Sequence, residues 1–151
     1  IIRWPGWVPA NVRVPAMVSL HQIPATVMAL VGQPSPPSFV GESLVPFFTG
    51  DQAGGLAATP ISEVNQKEGG PADYPVTKSS LRSIASGQWH LILTDDGKVE
   101  LYNWRADPQE MDDQANTPAG RVLVAEMQQA LRETVSVADN RQLLASGVAG
   151  G

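Results

Sequence analysis

The stretch SLRSIASGQWHLILTDDGKVELYNW, residues 80–104, decides the fold of this chain. It contains three runs in which apolar and polar residues alternate, and this period of two is typical of β-strands. We predict strands over 80–86, 88–94 and 98–104. The residues Asp95-Asp96-Gly97-Lys98 predict the second hairpin turn, because glycine adopts positive φ without strain. A three-stranded antiparallel meander is therefore expected.

A helix with one apolar face follows the meander. Pro118 stands where the first helical position favours proline, and the stripe of residues 118–134 comprises Leu123, Met127, Ala130 and Leu131. On the predicted strands, Trp89, Leu91 and Leu93 share one face, and Leu101 lies two residues from Val99 on one face of the last strand. We expect Leu101, Met127 and Leu131 to share a core, which gives an α+β unit with a small antiparallel sheet packed on a long helix.

The segment before the meander is predicted to be more irregular. Residues 1–4 are β-branched and aromatic and predict a strand. Ser19 is the expected N-cap of a helix that contains Pro24 in its first turn or so and ends at Gly32, and its apolar residues are Ile23, Val27, Leu30 and Val31. We expect loops at 33–39 and 65–78, one helical turn within 41–48, an edge strand within 57–64 and a frayed tail over 139–151.

Charge is distributed unevenly along the chain. The net charge is −5, yet only Arg3, Arg13, Glu42 and Asp51 are charged between residues 1 and 62, and the other 21 charges all follow. Soluble domains usually carry about a quarter charged residues. A stretch this poor in charge predicts either a neutral, proline-rich solvated region or a surface that packs against another part of a larger protein.

Composition excludes several classes of function. Basic residues are scattered singly, which argues against nucleic acid as a partner. The sequence contains no run of about 18 apolar residues, so no membrane span is predicted. The chain has no cysteine, so it has neither a disulfide framework nor a thiol nucleophile. It also lacks a P-loop, a G-x-G-x-x-G motif and a G-x-S-x-G elbow.

No catalytic, cofactor-binding or metal-binding residue is predicted. The two histidines, His21 and His90, lack the spacing of a zinc site, and His90 is interpreted as a structural side chain on a strand. The acidic residues Asp107, Glu110, Asp112 and Asp113 fail the calcium-loop pattern, which needs glycine at the sixth position and glutamate at the twelfth. We expect them to complement the N-terminal dipole of the following helix and to keep the loop solvated.

Two stretches resemble the sulfatase family of the alkaline phosphatase superfamily. The first, residues 1–32, resembles the segment after the last catalytic lysine of sulfatases, and its matching residues are Trp4, Pro5, Gly6, Val18, Ser19, Pro24, Thr26, Leu30 and Gly32. The second resembles the C-terminal signature of the family, and its matching residues are Arg82, Trp89, Glu100, Leu101, Tyr102, Asp107, Pro108, Glu110 and Ala115. The chain departs from the usual pattern at Gln22, at Asn103 and at Asp113-Gln114, where the family has aspartate, aspartate and Asn-Leu.

The resemblance implies that this chain is the C-terminal part of a sulfate-ester hydrolase. Residues 1–62 would then end an α/β catalytic domain, 63–134 would form a C-terminal subdomain and 135–151 a flexible tail. Its partner would be the upstream catalytic domain, which in the family carries formylglycine, formed within a C/S-x-P-x-R motif, and a calcium ion. No such residue can be carried over to this sequence. The resemblance also favours a periplasmic or secreted location.

Two alternatives stay open at this point. A phosphoester or phosphonate-ester hydrolase of the same superfamily would share the scaffold. A free-standing α+β interaction module would have no catalytic partner.

Overall fold

The computed structural model describes residues 1–39, 41–49 and 59–147, with side chains to residue 136. Within these ranges the helices are α1 (Gln22–Leu30), α2 (Pro46–Thr49), α3 (Pro75–Lys78) and α4 (Pro118–Gly147), and the strands are β1 (Ile61–Val64), β2 (Leu81–Ser86), β3 (Trp89–Thr94) and β4 (Val99–Asn103). The chain forms two compact units, one of Ile1–Ala58 with Val137–Gly151 and one of Thr59–Ser136. The domain boundaries that we expect at 62/63 and 134/135 stay predictions.

The sheet of the second unit is an antiparallel meander in the order β1-β2-β3-β4. The three strands predicted from the alternating pattern are confirmed, and the edge strand predicted within 57–64 pairs with β2 as a fourth strand. Gly87, at φ +58°, lies in the two-residue connection between Ser86 and Trp89. Gly97, at φ +92°, lies in the predicted turn between β3 and β4.

The core of this unit lies between one face of the sheet and α4. Ile84, Leu91 and Leu101 are fully buried, and Met127 and Leu131 of α4 join the same cluster together with Ala115. The predicted shared core of Leu101, Met127 and Leu131 is thereby confirmed. Burying each large side chain of this kind contributes about 1.5–3 kcal/mol to folding.

Helix α4 begins as predicted and ends later than predicted. Pro118 is its first residue, and the Thr117 hydroxyl accepts a hydrogen bond from the Gly120 amide at 2.9 Å, as an N-cap does. The helix continues to Gly147 and not only to residue 134, so the frayed tail predicted over 139–151 is wrong over 139–147. The reason is local, because residues 141–145 are a run of the helix-favouring residues Arg, Gln, Leu, Leu and Ala, and residues 135–147 contain no proline.

In the first unit, the predicted strand over residues 1–4 is wrong. The segment has no regular secondary structure, and a turn follows in which the amides of Trp7 and Val8 both donate to the Trp4 carbonyl. A β-strand needs a neighbour to satisfy its backbone groups. The described residues of this unit contain no strand that could pair with it.

Helix α1 confirms the predicted stop and corrects the predicted start. Gly32, at φ +69°, ends the helix in a Schellman motif, since its amide donates to the Ala29 carbonyl and the Gln33 amide donates to the Met28 carbonyl. The helix begins at Gln22 with His21 as N-cap, so Ser19 is not the cap. The Ser19 amide instead donates to the Gln22 side chain at 2.8 Å. This is one of the two hydrogen bonds of a capping box, formed here by the residue two positions before the N-cap.

Candidate functional site

The main polar cluster of the second unit lies on the face of the sheet opposite α4. His90 on β3 is paired in register with Tyr102 on β4, so the two side chains are neighbours on this face. The His90 Nδ1 atom lies 2.6 Å from Glu110 Oε1, and the two side chains are 25% and 32% exposed. Glu110 has φ +53°, which places a non-glycine residue in the left-handed region. The contact therefore ties the loop after β4 to the middle of the sheet.

A tyrosine–glutamate–lysine chain of contacts lies beside this pair. The Tyr102 hydroxyl donates to Glu100 Oε1 at 3.0 Å, and the Lys98 ammonium contacts the same oxygen at 2.7 Å. Burial, together with the hydrogen bond to Glu100 and its negative charge, raises the pKa of Tyr102 to about 12. Tyr102 is therefore a neutral hydrogen-bond donor at ordinary pH, and its role here is to hold Glu100 in place.

The acidic loop between β4 and α4 uses its carboxylates to hold backbone groups. Asp107 Oδ2 accepts from the amides of Met111 and Asp112 at 2.7 and 2.8 Å. Asp113 Oδ1 accepts from the amides of Leu101 and Ala115 at 3.0 and 2.9 Å. The interpretation of Asp107 and Asp113 as partners of the α4 dipole is therefore wrong, since their bonds go to the loop and to strand β4 and no acidic residue lies in the first turn of α4. The Asp113 bonds also cover the free edge of β4, which limits edge-to-edge pairing.

Within the described ranges, no group of three or more His, Cys, Asp or Glu residues is placed to hold a metal ion. His21 and His90 belong to different compact units, and His21 is exposed at the start of α1. Among the helices that the structure describes, none is long and apolar enough to cross a membrane.

The first unit presents a different kind of site, an exposed apolar helix face. The stripe of α1 and the turn before it lies largely in solvent, and we call it the apolar surface: Val18, Leu20, Ile23, Val27 and Val31, which are 44%, 85%, 39%, 51% and 54% exposed. This arrangement is unusual for an amphipathic helix, whose apolar stripe normally faces a core. A large exposed apolar patch marks a surface that packs against another molecule or domain.

The opposite side of α1 is the buried one. Gln22, Ala25 and Thr26 are buried there, and the Thr26 hydroxyl donates to the Gln22 carbonyl at 2.6 Å and accepts from the Leu44 amide at 2.9 Å. Gly41 fits tightly against the start of the helix, because a Cβ at this position would clash with the His21 carbonyl oxygen. The segment around residues 41–44 therefore packs on the side of α1 that carries Gln22, Ala25 and Thr26, and the apolar stripe remains exposed to solvent.

An apolar groove completes this half of the chain. Its volume is about 260 Å³ and its walls come from the first 48 residues: Ile1, Ile2, Val8, Pro9, Val12, Val14, Val18, Leu44, Phe47 and Phe48. None of the lining residues that the structure describes is charged. Together with the apolar surface, the groove accounts for the scarcity of charge in the first 62 residues, and it favours packing over solvation as the explanation.

The fold of this chain matches parts of several solved protein structures. No protein-family model and no curated protein matches the chain. A Bacteroides thetaiotaomicron protein assigned to the sulfatases matches with a TM-score of 0.65 and 21% identity over 76% of this chain and 24% of its own. The phosphonate monoester hydrolase of Agrobacterium radiobacter gives 0.62 and 17% over 78% and 24%. BT4656, solved in complex with its substrate D-glucosamine-2-N,6-O-disulfate, gives 0.60 and 23% over 77% and 23%.

The chain therefore has the fold of a part of the sulfatase and phosphonate monoester hydrolase structures that it matches. It spans about a quarter of the length of the solved chains that it matches. The resemblance predicted from the two sequence stretches is confirmed at the level of the fold.

The structure also shows what several residues of the resemblance do. Thr26 joins α1 to Leu44, Asp107 folds the loop that follows it, and Glu110 reaches His90. Sequence reasoning missed the role of Asp113, which stands where the resemblance leads us to expect asparagine. The signal was present, because an asparagine side-chain oxygen could accept the same two backbone hydrogen bonds.

Proposed function

We propose that this chain is part of a hydrolase that cleaves sulfate esters, in which it supports an active site formed by other residues of the same protein. The observation that carries this proposal is the match to a sulfatase fold over 76% of the chain at a TM-score of 0.65. The Glu100-Leu101-Tyr102 and Asp107-Pro108-Gln109-Glu110 motifs support it. The chain supplies a rigid sheet-and-helix unit and an apolar packing surface, and the chemistry lies elsewhere.

The partner in this proposal is the catalytic domain of the same protein. That domain would cover the apolar surface of α1 and the groove of the first unit. The exposure and the apolar lining of both features support this, because a large exposed apolar patch marks a surface that packs against another molecule or domain. The calcium ion and formylglycine implied by the resemblance would also lie there. The described residues of this chain have no group that fits calcium, and its sequence has no C/S-x-P-x-R motif. We therefore derive no catalytic step through either group.

The activity is tested on the complete gene product. A C/S-x-P-x-R motif within about 300 residues encoded upstream, together with hydrolysis of an aryl sulfate by the purified complete protein, is the expected result. The 151-residue chain by itself should hydrolyse no aryl sulfate. A complete protein that has the motif but cleaves only phosphonate monoesters would refute the sulfatase assignment and leave the superfamily intact.

The packing role is tested with a matched pair of valine substitutions. Val27 on the apolar surface and Val122 on α4 are 51% and 59% exposed, so Val27→Lys and Val122→Lys should each change the stability of the 151-residue chain by no more than about 0.5 kcal/mol. In the complete protein, Val27→Lys should lower the midpoint of thermal unfolding clearly, whereas Val122→Lys should not. If the two variants behave alike in the complete protein, the apolar surface is not a packing surface.

A second candidate is a phosphonate monoester hydrolase. It is favoured by the match to the Agrobacterium radiobacter enzyme, whose TM-score of 0.62 is close to that of the sulfatase match and which covers 78% of this chain. A phosphonate monoester such as a p-nitrophenyl phenylphosphonate, assayed beside an aryl sulfate, separates the two by their ratio of kcat/KM.

A further inference from the structure

We draw no further inference here: the strongest candidate, the exposed apolar stripe of α1 together with the apolar groove of the first unit, carries nothing beyond the packing role already proposed, because nothing in the structure shows what covers it.

Discussion

The bonds of Asp113 offer the sharpest test of how the second unit is held together. The amide of Leu101, a residue with no exposed surface, has the Asp113 carboxylate as its partner at 3.0 Å, and the Gln114 amide donates back to the Leu101 carbonyl at 2.8 Å. Asp113→Ala removes the acceptor and leaves a buried N–H without a partner. Leaving such a donor unsatisfied costs about 1–3 kcal/mol, so we expect the free energy of unfolding to fall by that amount.

Two variants at and beside this position separate the hydrogen bonds from the charge. Asp113→Asn keeps a side-chain oxygen that can accept both backbone bonds, so its cost should stay below about 1 kcal/mol, the difference between charged and neutral acceptors. Asp112→Ala removes an exposed carboxylate that contacts the Gln114 side chain, and it should cost no more than about 0.5 kcal/mol. We therefore expect Asp112→Ala to be the most stable of the three variants, Asp113→Asn to be intermediate and Asp113→Ala to be the least stable.

The assay combines urea unfolding, followed by far-ultraviolet circular dichroism, with amide hydrogen exchange. Asp113→Ala should lower the urea midpoint and accelerate exchange at the Leu101 amide, because the loop no longer protects that group. If Asp113→Ala unfolds at the same midpoint as Asp112→Ala and the Leu101 amide remains protected, then the loop does not hold the edge of β4 and our account of it is wrong.

Three further outcomes are expected. Leu101→Ala and Leu131→Ala should each cost about 2–5 kcal/mol in urea unfolding and should be non-additive when combined, because the two side chains belong to one buried cluster; additive costs would show that they do not touch. Thr26→Val should cost about 1–3 kcal/mol by leaving the buried Leu44 amide without its acceptor, whereas Thr26→Ser should be milder; equal costs would show that the methyl group matters more than the hydrogen bond. The pKa of Tyr102 is about 12 in the folded state and about 10 in the unfolded state, so the unfolded state loses the phenolic proton at lower pH. The free energy of unfolding should therefore fall by on the order of 1–2 kcal/mol as the pH rises from 10 to 12. Tyr102→Phe should show a smaller fall over this range, and an identical fall would show that other groups cause the alkaline sensitivity.

The sequence by itself determined the elements whose information is local. The alternation over residues 80–104 fixed the strands and the face that Leu91 and Leu93 share on β3, because successive side chains on a strand point to opposite faces. Pro118 fixed the start of α4, and Gly32 fixed the end of α1, because each suits a backbone conformation that other residues adopt less readily. The motifs around Glu100 and Glu110, together with the stretch over residues 1–32, predicted the fold by resemblance.

Tertiary structure decided everything that depends on a partner distant in the sequence. Residues 1–4 have strand propensity but form no strand, since the described residues of their unit contain no strand that could pair with them. The apolar stripe of α1 has the period of a core-facing helix, yet Val27 is half exposed. Periodicity identifies the apolar face of a helix but cannot show whether that face is buried or exposed. Asp113 resembled a solvated loop acid until the fold brought the Leu101 amide to it. Hydrogen-bond partners and burial are properties of the folded chain as a whole, because they depend on which segments meet, and a local pattern records only what each segment can offer.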